Sequence, residues 1–274
     1  MKRSIFYLSL LYVLGSCSSF KEVKAFASRS EESIKSYKRI DYTFSGNCNY
    51  KCSQRALENS NFQTLEKECS CEEELLADKN LKYLLKVLEG YFRGLSNLSD
   101  SELTSYSFDA IQKPLTEGKY IKKADIKPYT EIASMITTMF TDGYRAKKLQ
   151  QFIKTANSNI ILLLEKTSSI IEDNLLPTLL SRQAELQQIY HDLYSASVTS
   201  SFEKFNIRKM YVSEITTIAE KKEALEKYTA ALEKISKGHQ SLNENKHKLN
   251  EKEIRKIIRR YANDLNVIVE QIKK

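Results

Sequence analysis

Four cysteines are the side chains best placed to form covalent cross-links or to bind a metal. Cys48, Cys52, Cys69 and Cys71 lie within 24 residues of one another. In an oxidising compartment, an even number of thiols in so short a stretch favours two disulfides. Three pairings are possible, and the nested one, Cys52–Cys69 inside Cys48–Cys71, would join two antiparallel segments. Four thiolates also suffice for one zinc ion, but the spacing departs from the usual paired C-x-x-C pattern.

The residue combinations that usually support catalysis are missing. The chain has three histidines and no H-E-x-x-H, G-x-S-x-G, P-loop or dinucleotide-binding motif. His239 and His247 border a charged segment predicted to connect two helices, and we expect both to be solvated. His191 lies between two tyrosines on a predicted helix, where a partly buried packing role is expected. The sequence therefore predicts no enzyme activity, no metal and no cofactor.

A fifth cysteine, Cys17, follows a short apolar segment. Lys2 and Arg3 precede an apolar run from Ile5 to Leu14. A membrane span needs roughly twenty apolar residues, about twice the length of this run. A basic start, a short apolar stretch and an exit through small residues are typical of a secretory signal.

The residues Leu14-Gly15-Ser16-Cys17 resemble the lipobox of bacterial lipoproteins, in which the cysteine is lipidated and becomes the mature N-terminus. The resemblance covers residues 1–17 only, and no family is recognised for the rest of the chain. It implies a cell-envelope protein held in the membrane by acyl chains such as palmitate on Cys17. Ser18 is not the aspartate associated with inner-membrane retention, which favours the outer membrane, at its periplasmic face or at the cell surface. An ordinary signal peptide that is cut near Cys17 is the alternative.

The charge balance is moderately basic. The chain has 43 basic and 35 acidic residues, a formal net charge of +8. Solvated helix surfaces with a bias toward lysine explain this excess, while anionic headgroups or cell-wall polymers are alternative partners. We expect a membrane contact through the lipid anchor and other envelope proteins as partners, but no nucleic acid.

The composition and the apolar spacing predict an all-α fold. Only 7 glycines and 3 prolines occur in 274 residues, well below average usage, which favours long helices over a sandwich or barrel. Apolar residues seven apart, from Tyr211 to Leu232, predict a long packing helix over 208–237, with Gly238 as its C′ residue. We predict an elongated helical bundle with a long coiled-coil-like C-terminal hairpin and a disulfide-stapled N-terminal hairpin.

The sequence predicts four parts of the chain. Residues 1–16 are predicted to be a signal peptide and residues 17–47 a lipidated tether. Residues 48–112 are predicted to be a cysteine-stapled helical region and residues 113–274 a long-helix bundle.

The expected function is that of a non-enzymatic binding or scaffold module, and two alternatives stay open. The helix predicted over 153–175 is apolar on nearly all sides, which indicates a buried core helix or a membrane-active, pore-forming-like segment. Its longest apolar run, 160–164, is too short to span a bilayer, so core packing is favoured. Four aromatic residues at 106–129 lie in or beside an irregular segment, 112–128. They could line a small-ligand or enzymatic pocket, but we favour packing of these rings at the end of a helical bundle. They are Tyr106, Phe108, Tyr120 and Tyr129.

Overall fold

The computed structural model describes residues 20–58, 70–100, 114–138, 145–196 and 200–272. These ranges contain helices and connections but no β-strand, so the predicted all-α fold is confirmed. The helices are α1 Lys21–Lys35, α2 Phe44–Glu58, α3 Glu72–Leu98, α4 Lys123–Thr138, α5 Arg145–Ser169, α6 Leu176–Ser195, α7 Ser201–Glu244 and α8 Lys252–Ile272. A short 3₁₀ turn, Ser36–Arg39, follows α1, and a π-helical stretch, Ile170–Leu175, joins α5 to α6.

Helix α1 is a central element of the core. It buries Val23, Phe26 and Ile34 against α3, α7 and α8. The expectation of a tether at 17–47 is therefore wrong for residues 20–47. The apolar spacing of α1 is weak in the sequence because two serines lie on its buried face. Their hydroxyls donate hydrogen bonds to carbonyls of the same helix. Ser30 Oγ bonds to Phe26 O at 2.9 Å and Ser33 Oγ to the carbonyl of Arg29 at 2.7 Å, so no polar atom is left unsatisfied.

Hydrogen bonds and ring contacts fix the directions of the helices around α1. Helix α3 runs antiparallel to it, because Lys24 pairs with Asp100 at one end and Glu31 pairs with Arg93 two turns later. Helix α8 runs parallel to α1, since Glu22 meets its beginning and Phe26 meets Tyr261 further along. Helix α7 runs antiparallel to both.

Helix α7 determines the length of the molecule. Its 44 residues correspond to about 66 Å at 1.5 Å per residue. The residues after Ile218 pack into the body, and the helix then returns through 245–251 to α8. This confirms the long C-terminal hairpin. Residues 201–217 contain no buried side chain, so α7 extends about 25 Å past Ile218, together with the end of α6.

The predicted end of this helix at Gly238 was wrong. The helix continues to Glu244, and Gly238 lies inside it against the ring of Phe26. A Cβ atom at position 238 would lie 2.7 Å from Phe26 Cζ and closer still to Cε2. Glycine is therefore required here for close approach of α1 to α7, and its φ angle is not the reason.

The apolar segment at 153–175 is a core element, as predicted. Helix α5 and the π-helical stretch bury Ile153, Ile160, Leu164 and Ile171 among other residues. Pro177 lies in the first turn of α6, directly after the wider π turns, where its missing N–H costs no hydrogen bond. Within the described ranges, every helix is too short or too polar to span a membrane.

Candidate functional site

The cysteines of the N-terminal hairpin form a covalent junction between α2 and α3. Cys48 and Cys71 are joined by a disulfide, with their Cα atoms 5.9 Å apart. This is the outer bridge of the nested pairing. Cys52, one turn after Cys48, is also disulfide-bonded, and its Sγ lies 4.0 Å from that of Cys71. Cys69 lies outside the described residues, so the inner bridge, Cys52–Cys69, remains a prediction.

The sulfur atoms of Cys48, Cys52 and Cys71 lie within 4.8 Å of one another, as metal ligands would. A metal binds the thiolate form of cysteine, and two of these sulfurs are bonded to each other instead. This cluster therefore acts as a cross-link in the oxidised protein.

His239 is fully enclosed on the C-terminal hairpin, and the prediction that it is solvated was wrong. It is 0 % exposed. Its Nε2 lies 2.6 Å from the hydroxyl of Tyr91, and its Nδ1 lies 3.0 Å from Oδ1 of Asn157. An amide oxygen only accepts hydrogen bonds, so Nδ1 carries the proton and Nε2 accepts from Tyr91.

This environment keeps His239 neutral. Burial lowers its pKa to about 3. The amide of Asn157 is itself fixed, because its nitrogen donates to Gln240, and the ring of Tyr91 stacks on Phe152 with centroids 4.7 Å apart. Both ring nitrogens of His239 are satisfied and sealed from solvent, which is the arrangement of a structural histidine.

The other two histidines lie on the surface. His247 is exposed, as expected. His191 was expected to be partly buried, but 72 % of its side chain is exposed, because the end of α6 extends past the body. Its Nδ1 lies 3.3 Å from Asp192. Hydrogen bonds from Gln188 and His191 lower the pKa of Asp192.

The described part of the aromatic region is packed. Tyr129 is 2 % exposed, and Tyr120 stacks on Phe44 with ring centroids 4.7 Å apart. Both rings fill space between helices, as the predicted packing requires. Tyr106 and Phe108 lie outside the described residues.

An exposed apolar surface occupies the far end of the α6–α7 hairpin. Of ten exposed large apolar side chains in the described ranges, six lie here: Leu193, Tyr194, Phe202, Phe205, Met210 and Val212. We call this surface the hairpin tip. Phe202 and Phe205 are 73 % and 64 % exposed, respectively.

A shallow groove of about 280 Å³ lies beside the hairpin tip, between the two helices. Tyr190 and Tyr211 face each other in it with centroids 5.5 Å apart. At its rim the guanidinium of Arg208 donates to the hydroxyl of Tyr194 over 3.1 Å. The hairpin is thus held together by aromatic contacts, which fix the positions of the exposed side chains around them. The sequence does not single out this surface, because the apolar spacing of Tyr211 and Ile218 predicts packing inside the bundle.

A charged junction closes the opposite end of the bundle. The carboxylate of Glu22, in the first turn of α1, is 5 % exposed. It accepts two hydrogen bonds of 2.9 Å from Arg255 and one of 2.7 Å from Arg259. Hydrogen bonds from Arg255, the main cause, and from Arg259 outweigh desolvation and lower the pKa of Glu22 to about 2.

No protein-family model, curated protein or solved structure matches this chain.

Proposed function

We propose that this protein is a lipid-anchored module of the bacterial cell envelope that binds another envelope protein through the hairpin tip. It is held in the membrane, with the outer membrane favoured, through acyl chains on Cys17. It performs no catalysis of its own. The observation that carries the proposal is the concentration of exposed apolar side chains at the end of the molecule farthest from Phe20.

The geometry supports a separation between anchor and binding surface. Gly238 of α7 packs on Phe26 of α1, so the C-terminal end of α7 lies beside Phe20, three residues after Cys17. The hairpin tip lies at the other end of α7, about 60 Å away for a helix of this length. An anchor at one end and the hairpin tip at the other suit a protein that binds a partner at a distance from the bilayer.

The chemistry of the hairpin tip favours a protein as the partner. Large apolar patches on a protein surface mark interaction sites, and clustered aromatic residues contribute much of the affinity at such sites. Residues 187–214 contain three basic and three acidic residues, so this surface has no charge preference for an anionic lipid. The two antiparallel helices of this hairpin lie side by side with an exposed apolar face, and a third helix can pack on such a surface.

Site-specific photo-crosslinking in cells tests this proposal. A photoreactive phenylalanine analogue replaces Phe205 in one variant and Val267 in a control. Val267 is 56 % exposed, but it lies on α8, away from the hairpin tip. We expect a discrete protein adduct from position 205 and none from position 267. A second variant, Phe202→Ser with the analogue at 205, should lose the adduct and keep its helical circular dichroism.

Two results would contradict the proposal. One is the same set of adducts from positions 205 and 267, which would indicate random collisions. The other is the absence of any adduct from position 205, and from position 210 on the same surface, in correctly folded protein.

A further inference from the structure

We infer that the end of the bundle around the beginning of α1 is a docking surface for the anionic phosphates of lipid headgroups. This inference depends on the proposed anchor for its biological setting. The surface comprises three adjoining ranges: 20–24, 98–100 and 244–260. Lys24 joins the first range to Asp100 in the second, and Glu22 joins the first range to Arg255 and Arg259 in the third.

The anchor would hold this end at the membrane. Phe20, the first residue that the structure describes, is buried and lies only three residues after Cys17. Three extended residues span at most about 10 Å, comparable to the distance of about 8 Å over which physiological salt screens a charge. A lipidated Cys17 therefore brings the charges of this end within electrostatic reach of the headgroups.

The charges of this end are predominantly basic. The three ranges contain nine basic and five acidic residues, whereas the hairpin tip is balanced. Lys21, Lys248, Lys252 and Lys256 are exposed and form no ion pair within the described residues. They have ammonium groups available for phosphate.

The acidic residues of this end are largely engaged inside the protein. Glu22 is buried beneath Arg255 and Arg259, and the carboxylate of Asp100 bonds to Lys24 at 2.7 Å. Arg259 keeps 63 % of its side chain exposed while it binds Glu22. Three exposed glutamates, at positions 244, 251 and 253, offset part of the positive charge but leave an excess.

Helix α8 presents this charge as a stripe. Lys252, Lys256 and Arg259 are spaced by four and three residues, which places them on one helix face. Ile258, Ala262 and Leu265 are buried against the bundle on a different face of the helix. The helix therefore contributes its basic side to the surface while its apolar side stays packed, so headgroup binding requires no unfolding and no insertion of α8.

Vesicle co-sedimentation of the unlipidated protein tests the inference. The predicted mature chain, residues 17–274 with Cys17→Ser, is mixed with vesicles of phosphatidylcholine alone or with phosphatidylglycerol added. The test variant changes Lys21, Lys248, Lys252 and Lys256 to Gln. The control variant changes four solvent-accessible lysines elsewhere to Gln, at positions 82, 86, 127 and 222, so both variants lose the same charge.

We expect binding to the anionic vesicles that falls as salt is raised. Each lysine that contacts an anionic surface raises the partition coefficient onto the vesicle about fivefold. Two such lysines therefore raise it about 25-fold. The test variant should lose at least that factor, while the control variant changes less than about fivefold. Equal losses in the two variants, or equal binding to both vesicle types, would overturn the inference. Neither result depends on lipidation of Cys17 or on the hairpin tip, so failure here is distinguishable from failure of the proposed function.

Discussion

The buried imidazole of His239 should make the stability of this protein depend on pH between 7 and 5. Its pKa in the folded state is about 3, against an ordinary value of 6.5. The unfolded chain therefore takes up a proton first as the pH falls. The stabilisation by the neutral ring is complete above pH 6.5 and is lost progressively as the pH falls from 6.5 toward 3.

The size of the effect follows from this pKa difference. Between pH 7 and pH 5 the unfolded state gains about 2 kcal/mol relative to the folded state from this one group. Glu22 does not interfere, because its pKa falls from 4.5 to about 2 on folding. Its contribution is present above pH 4.5 and is lost only below that value. The window from pH 7 to pH 5 thus separates the contribution of His239 from that of Glu22.

Urea unfolding at pH 7 and pH 5, followed by circular dichroism, measures this dependence. The wild-type free energy of unfolding should fall by about 2 kcal/mol more than that of His239→Gln, which has no imidazole to protonate. His247→Gln removes an exposed histidine and should keep the wild-type dependence. If His239→Gln and the wild type lose the same free energy, the buried neutral imidazole is refuted.

Three further predictions concern contacts that hold the helices together. Gly238→Ala should destabilise the fold by about 1–3 kcal/mol, because the ring of Phe26 must move; an unchanged thermal midpoint would contradict the close approach of α1 and α7. Cys71→Ser opens a bridge between residues 23 apart in sequence and should cost about 3 kcal/mol in the chain-entropy treatment; equal stability of the wild type with and without reductant would refute it. Glu22→Gln replaces a carboxylate bound to Arg255 and Arg259 and should cost about 2 kcal/mol at pH 7. That cost should shrink below pH 4.5, and a constant cost down to pH 2 would contradict the assignment of the ion pair.

The sequence predicts those parts of the fold that depend on local spacing. Few glycines and prolines, together with the heptad spacing from Tyr211 to Leu232, lead to an all-α bundle with a long hairpin. The four cysteines alone allow three pairings. The disulfide Cys48–Cys71 belongs to the nested one of these three. Core packing of the helix predicted over 153–175 follows from its longest apolar run, 160–164, which is too short to span a membrane.

The predictions that were wrong concern contacts between segments distant in sequence. Gly238 was taken for a helix end because nothing nearby in sequence indicates that Phe26, more than 200 residues earlier, packs on it. His239 was placed on the surface for the same reason, since Tyr91 and Asn157 come from other helices. A helix is possible from the sequence at about Lys21 to Tyr37, but its place in the core was not predicted, because Ser30 and Ser33 look polar although their hydroxyls are satisfied within the helix.

The hairpin tip was also hidden in the sequence. The apolar spacing of α7 is similar before and after Ile218, yet its buried side chains begin only at Ile218. A periodic pattern indicates which face of a helix is apolar, but it does not say how far the partner helices extend.

Intact mass spectrometry of the protein extracted from bacterial membranes tests the central claim most directly. We predict a chain that begins at Cys17, is heavier than the unmodified polypeptide by its acyl chains, and has Cys48, Cys52, Cys69 and Cys71 oxidised. A full-length chain without acyl groups, or a chain cut near Cys17 and released from the membrane with a free thiol at that residue, would contradict the lipid anchor.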